Sequence, residues 1–344
     1  MISRRSHGPP DGGRGAGGGG PEAFRSPSPR GDPRDALCGG RPRCYRAPMS
    51  PGARATAAAV GSILLWCWSG VCFAAGSRLA GAMPYLSLMT ATGSLTVVAL
   101  QAARRRPLAD LVALPPRLIG AGFFGVALYT VMFCQAMGMA PPSDLGQVNL
   151  LNYLWPVWIA VLSLWLLEER QGTARTLLGA AVGFAGVAVA RGLDRLLVVP
   201  ASLVPHALTG AGGLLWALYC VLLRRWRVPE EQGGTALHFA LCAVMAAGIA
   251  AASGGWASWP GWSPRLAFWV LFGGVGPVGL AYHFWEIGVK RGNVRLIVQL
   301  AYFIPVGSSV LISLFFRSSL SAGLWIGAAL IAAGAWISRR GEST

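Results

Sequence analysis

Glu286 is the one acidic residue that falls within a long apolar stretch of the sequence. It follows Tyr282 by four residues and His283 by three, so helical spacing places the three on one face. An ionisable side chain at such depth is costly, and it marks a function or a partner. One reading is a proton-sensitive or cation-binding site, because a histidine nearby changes charge near neutral pH. The other is an interfacial carboxylate paired with Lys290, one turn further along. Spacing alone leaves both open.

A second set of polar groups lies in other apolar stretches. Asn149, Asn152, Tyr153 and Pro156 share a helical face. Pro156 lacks an N–H and frees backbone carbonyls or bends the helix, which makes it a hinge beside a cavity. Gln299, Tyr302 and Pro305 repeat the device later in the chain. Trp66, Trp155, Trp158, Trp216, Tyr219 and Trp285 supply an aromatic lining. Such rings suit aromatic solutes by stacking and organic cations through their π faces. The sequence holds no nucleotide loop, no paired carboxylates at a membrane face and no metal-ligand spacing, which argues against an intramembrane enzyme, a cofactor or a metal site. Of the 7 cysteines, Cys67, Cys72, Cys134, Cys220 and Cys242 fall in apolar stretches and read as small apolar residues. His206 and His238 stand alone and read as structural.

The elements that carry these residues are membrane helices. Hydrophobic residues make up 54% of the 344, and charged residues only 12%. Ten apolar runs are expected, near 56–76, 83–103, 118–138, 145–167, 174–190, 202–223, 235–253, 265–286, 294–316 and 320–338. Each is about 20 residues long and able to cross a hydrocarbon core of roughly 30 Å as a helix. The net charge of +16 sits in loops and tails, so it points to membrane orientation and not to nucleic acid. One side collects Arg104, Arg105, Arg106, Arg117, Arg170, Arg175, Arg224, Arg225, Arg227, Lys290, Arg291, Arg295, Arg339 and Arg340. The other has Arg78, Arg191, Arg195, Arg265 and Arg317. The positive-inside rule then puts both termini in the cytoplasm. Trp256, Trp259 and Trp262 suit an interfacial belt on the outer side, and Glu168, Glu169 and Arg170 an ion network at an inner helix end.

Residues 1–55 form a basic tail rich in Gly, Pro and Arg, expected to be disordered. Met49 is a plausible alternative start. After the tail the chain repeats. Leu64-Leu65-Trp66 matches Leu214-Leu215-Trp216, Tyr153-x-x-Pro156 matches Tyr302-x-x-Pro305, and small residues recur at Gly179, Gly183, Gly186 and at Gly323, Gly327, Gly334. The glycines read as helix packing, with a dimer face as the alternative. The halves, 56–190 and 202–338, each hold five spans. An odd number inverts the second half, the arrangement of secondary transporters with a midplane site.

The motifs Asn152-Tyr153-Leu154-Trp155-Pro156, Leu215-Trp216-Ala217-Leu218-Tyr219-Cys220, Tyr282-x-x-Trp285-x-x-Gly288, Gly292-Asn293-Val294 and Tyr302-Phe303-x-Pro305-Val306 together resemble the drug/metabolite transporter superfamily with its EamA-like repeats. Within it they resemble the YddG-type aromatic amino acid exporters. The resemblance covers about residues 56–340. It implies ten helices in two inverted five-helix repeats and alternating access around a central cavity lined by spans one, three, four, six, eight and nine. It also implies export of aromatic or hydrophobic amino acids, with aromatic cations as an alternative cargo, from the inner membrane of a bacterium. The expected partners are a small-molecule substrate and the lipid bilayer, and the protein acts as a monomer or homodimer. Glu286 departs from the pattern, which has a neutral Asn there, and so does Gln147, where a carboxylate fits the related pattern better.

Overall fold

The structure is a computed structural model that describes residues 49–141, 144–167, 173–193, 199–200, 202–229, 232–316 and 322–339. Among these residues every regular element is helical. Eight helical runs are long and apolar enough to cross a membrane, and two shorter ones are equally apolar in character. In chain order they are α1 (Pro51–Ala80), α2 (Ala82–Ala103), α3 (Pro116–Met139), α4 (Gln147–Leu166), α5 (Ala174–Ala190), α6 (Val204–Arg225), α7 (Thr235–Ala252), α8 (Pro264–Arg291), α9 (Val294–Phe315) and α10 (Ala322–Ile337), of which α5 and α10 are the shorter pair. Large apolar side chains such as Leu64, Trp165, Val244 and Trp325 point outward, a distribution suited to lipid rather than to water. The tail expected over residues 1–48 and the ion network at Glu168, Glu169 and Arg170 lie outside the described residues.

The first helix starts at Pro51, earlier than the sequence expectation near Thr56. Ser50 accepts a hydrogen bond from the Ala53 N–H and caps it. Proline sits in the first turn of α1, α3, α6 and α8, where a missing N–H costs nothing. Ser263 and Asn293 cap α8 and α9 in the same way as Ser50.

Three runs are not continuous helices: α1 is interrupted at Trp68, and α4 and α9 break beside a proline. In α4 the helix ends at Asn152 and resumes at Trp155; in α9 it ends at Ala301 and resumes at Phe303. The cause is local. Pro156 and Pro305 cannot donate to, and clash with, the carbonyls four residues back, which belong to Asn152 and Ala301. Tyr153 and Tyr302 bridge the gaps with tighter bonds to Leu150 and Gln299 carbonyls. The single face expected for Asn149, Asn152, Tyr153 and Pro156 is therefore interrupted. α3 and α8 carry a different irregularity. Each widens into a π-helical stretch, over Phe123–Leu128 and Gly274–Leu280, a feature that recurs at functional sites.

The helices interlock across the two halves of the chain. α1 packs on α8, α3 on α6, α2 on α7, and α5 on α10. The second segment of α4 packs on α6, and that of α9 on α1. The α5–α10 seam is the closest. A Cβ on Gly327 would stand 2.4 Å from the Gly186 carbonyl, and one on Gly334 2.5 Å from that of Gly179. These glycines serve the interior of the bundle, the packing reading of their spacing.

Candidate functional site

Trp216, near the middle of α6, is the hub of the buried rings. Its ring centroid lies 5.3 Å from Tyr282, 5.8 Å from Tyr129, 5.9 Å from Tyr219, 6.1 Å from Trp66 and 6.4 Å from both Trp155 and Trp285. Trp66 closes the ring with Tyr282 and Trp285, each at 5.0 Å. Half of these pairs are edge-to-face, a geometry that aromatic quadrupoles favour. Five helices contribute: α1, α3, α4, α6 and α8. The irregularities described above place the rings. Trp155 opens the second segment of α4, just past the break, and Trp66 stands just before a kink of α1 at Trp68. Gly213 of α6 faces the break itself, where a Cβ would meet the Asn152 carbonyl at 3.4 Å.

The polar rim of this cluster is sparse and satisfied. Tyr129 donates to the Asn152 side-chain oxygen at 3.1 Å, and Asn152 is buried. Trp285 donates to the Cys220 sulfur at 3.4 Å. Removing the first of these bonds with Tyr129→Phe leaves a buried amide acceptor unmet. The expected loss is about 0.6–1.7 kcal/mol, read as a lowered midpoint in thermal or denaturant melting of the detergent-solubilised protein; an unchanged midpoint would show that the bond carries no stability.

Glu286 lies beside the rings. Its side chain accepts from the Tyr219 hydroxyl at 2.5 Å and meets the Lys290 ammonium at 3.6 Å, and both side chains of the ion pair are largely buried. Lys290 also donates to the Pro229 and Gln232 carbonyls. A charge this deep needs such partners. His283, three residues before Glu286 on the same helix, also contacts Arg104 at the end of α2, 3.3 Å away.

Of the residues singled out from sequence, Trp66, Asn152, Trp155, Trp216, Tyr219, Tyr282, Trp285 and Glu286 come together. Tyr302 does not meet the ring cluster; it is fully buried against Gly183 of α5. Gln299 is buried one turn earlier in α9. His206, at the start of α6, reaches Gln147 at 3.2 Å and so is not alone. Sequence reasoning missed Tyr129, which both stacks on Trp216 and fixes Asn152, and Phe239 of α7, 4.6 Å from Tyr282. Neither lies in a recognisable motif. His238 was read as structural, yet its ring lies 5.8 Å from that of Tyr219. Among the described residues no group of His, Cys, Asp and Glu is arranged to hold a metal.

Two cavities open at one end of the bundle. The first, of 640 Å³, is lined by Leu166, Leu167, Arg224, Arg225, Arg227, Pro229, Lys290 and Arg291. The second, of 820 Å³, runs between the start of α1 and the start of α9 and shares Arg224 and Arg291 with it. Among the described residues no acidic side chain lines either. The buried rings and amide lie inside the bundle, with these basic chambers at its mouth.

The model of the EamA-like transporter family matches residues 54–192 and again residues 206–340. The chain is 32% identical over 292 residues to a protein of Ancylobacter novellus named aromatic amino acid exporter YddG, covering 82% of this chain and 96% of that one. It is 26% identical over 253 residues to the protein of the same name from Salmonella typhimurium, covering 68% and 81%. A solved crystal structure is similar with a TM-score of 0.71 at 28% identity, over 83% of this chain and 96% of that one.

Proposed function

The chain belongs to the EamA-like transporter family, and from that premise we propose that it exports aromatic amino acids across the membrane by alternating access. The observation that carries the reading is the ring cluster centred on Trp216, drawn from five helices and flanked by the Tyr129–Asn152 pair. An aromatic side chain entering there replaces ring–ring contacts with equivalent ones, so the site opens without leaving an apolar void. The amide and the carbonyl freed at the Asn152 break offer hydrogen bonds to the amino group. The names of the relatives in Ancylobacter and Salmonella support the same cargo.

In this reading α1–α5 and α6–α10 are two inverted five-helix repeats. The helix pairings support it, because adding five to each partner of α1–α8 or α4–α6 returns another observed pair, and α2–α7 and α5–α10 map onto themselves. The π-helical stretches in α3 and α8 and the breaks in α4 and α9 recur with the same offset. The arginine distribution supports placing both termini and the two basic cavities on the cytoplasmic side of the inner membrane. The hinges are Pro156 and Pro305, and a rocking of the halves about them exposes the rings to each side in turn.

Efflux of aromatic cations is the weaker reading, since the one carboxylate near the rings is already compensated by Lys290. A test is efflux of labelled phenylalanine, tyrosine and tryptophan from proteoliposomes, with the organic cation methyl viologen as the contrasting cargo. Saturable flux of the amino acids is expected. Flux of the cation alone would overturn the assignment.

A further inference from the structure

Glu286 stands between the aromatic cluster and the basic end of the bundle, one side chain from each. On one side Lys290, whose ammonium meets it at 3.6 Å, forms part of the wall of the 640 Å³ cavity. On the other, Tyr219 donates to its second oxygen, and the Tyr219 ring rests 5.9 Å from that of Trp216. The substrate pocket and the carboxylate thus share a tyrosine.

A second buried titratable group adjoins it. The His238 ring of α7 meets the Tyr219 ring edge-on at 5.8 Å and 89°. It is wedged where a Cβ on Gly122 would come within 1.8 Å of it and one on Gly234 within 2.1 Å. Neither ring nitrogen has a hydrogen-bond partner of good geometry among the described residues, although the Leu118 backbone is close enough to act on the ring. Gly233, next in line, closes over Glu286, since its Cβ would stand 2.9 Å from the carboxylate. One Gly-Gly backbone therefore covers both groups. The ionisable groups that act on Glu286 are Lys290 and His283 of α8, Tyr219 of α6 and His238 of α7, and His283 is itself held by Arg104 of α2.

We propose that Glu286 is a proton-binding site that couples export to an inward proton gradient, with His238 holding the proton in transit; this rests on the export reading given above. With Lys290 and Tyr219 in place the carboxylate is charged and compensated. Protonation removes the ion pair and weakens the acceptor that holds Tyr219. Tyr219 then loosens from Trp216, and the ring cluster releases its cargo. On the side of the 640 Å³ cavity the proton leaves past Lys290, the carboxylate regains both partners, and the rings close on the next substrate. Proton and cargo thus occupy the cycle alternately, which is antiport.

The test is phenylalanine efflux from proteoliposomes of the full chain, with and without an acidic exterior, alongside phenylalanine–phenylalanine exchange at equal pH. For the wild type, one proton per substrate predicts about a tenfold greater steady-state gradient of phenylalanine per pH unit. Glu286→Gln, checked for monodispersity after solubilisation, is expected to show efflux that no longer changes with exterior pH. His238→Gln is expected to slow gradient-driven efflux more than exchange. Proton release on adding phenylalanine to the weakly buffered wild type, followed with a pH indicator, supplies a readout that needs no variant. Equal wild-type efflux with and without the gradient, or a gradient response retained in Glu286→Gln, overturns the coupling and leaves export standing. Absence of any phenylalanine flux overturns the export reading and the coupling with it.

Discussion

Trp216→Ala is expected to lower aromatic amino acid export roughly 100-fold, whereas Trp216→Phe stays within about tenfold of the wild type. Six rings converge on this one side chain from four other helices and its own. Truncation removes the central surface on which a substrate ring would lie. A buried aromatic face contributes about 2 kcal/mol by area and about 1 kcal/mol by ring–ring geometry, and together these correspond to roughly two decades in rate or affinity. Phenylalanine restores most of that surface. The same truncation costs about 3–5 kcal/mol of stability as a core cavity, so flux must be normalised to folded protein recovered from the membrane by size-exclusion chromatography. If normalised flux of Trp216→Ala equals that of the wild type, Trp216 is packing and the substrate lies elsewhere.

Gly327→Leu is expected to prevent stable assembly altogether. Gly327 and Gly186 bring the α10 and α5 backbones together until a single added carbon would lie 2.4 Å from a carbonyl oxygen. A flexible side chain yields at such a contact, but a helix backbone does not, and the helices must separate. Overpacking of an ordinary core costs about 1–3 kcal/mol, and separation of a backbone seam exceeds it. The observable is loss of the monodisperse species and of heat-resistant fluorescence from a carboxy-terminal reporter. Gly248→Leu in α7, where a Cβ meets nothing within 4 Å, is the control that should fold. Normal assembly of Gly327→Leu would mean that the seam is looser than its distances.

Much of this architecture was legible in the sequence, because membrane helices declare themselves by length and hydropathy. The pair Trp66 and Trp216 was found through the internal repeat, and the two rings indeed meet, at 6.1 Å. The Tyr-x-x-Pro device was legible as an irregularity in the helix, but not the position of the break. That position follows from the carbonyl four residues before each proline, so the interruption falls at Tyr153 and Tyr302 rather than at Pro156 and Pro305. Tyr302 shows the limit of arguing by repeat. It matches Tyr153 in sequence, yet it seats against Gly183 because α5 offers a gap there. Tyr129 and His238 had no signal at all, since their partners lie on other helices at large sequence separation. The Lys290 ion pair read from the spacing is present, with Glu286 buried and Lys290 reaching the wall of the 640 Å³ cavity.

The interlocked pairing of the helices bears on how the protein is made. α1, α2, α3 and α5 each find their main partner among α6, α7, α8 and α10. Until the second half is made, the first five helices therefore have small-residue grooves and a half-built ring cluster uncovered. Their main contacts form once α6 arrives, and the seam closes when α10 seats on α5. A ribosome that stalls between the halves leaves an orphan with no partner to shield it, a substrate for membrane quality control. The same logic makes the two halves, expressed as separate chains, candidates to find each other, because nearly every strong helix contact is between them rather than within either.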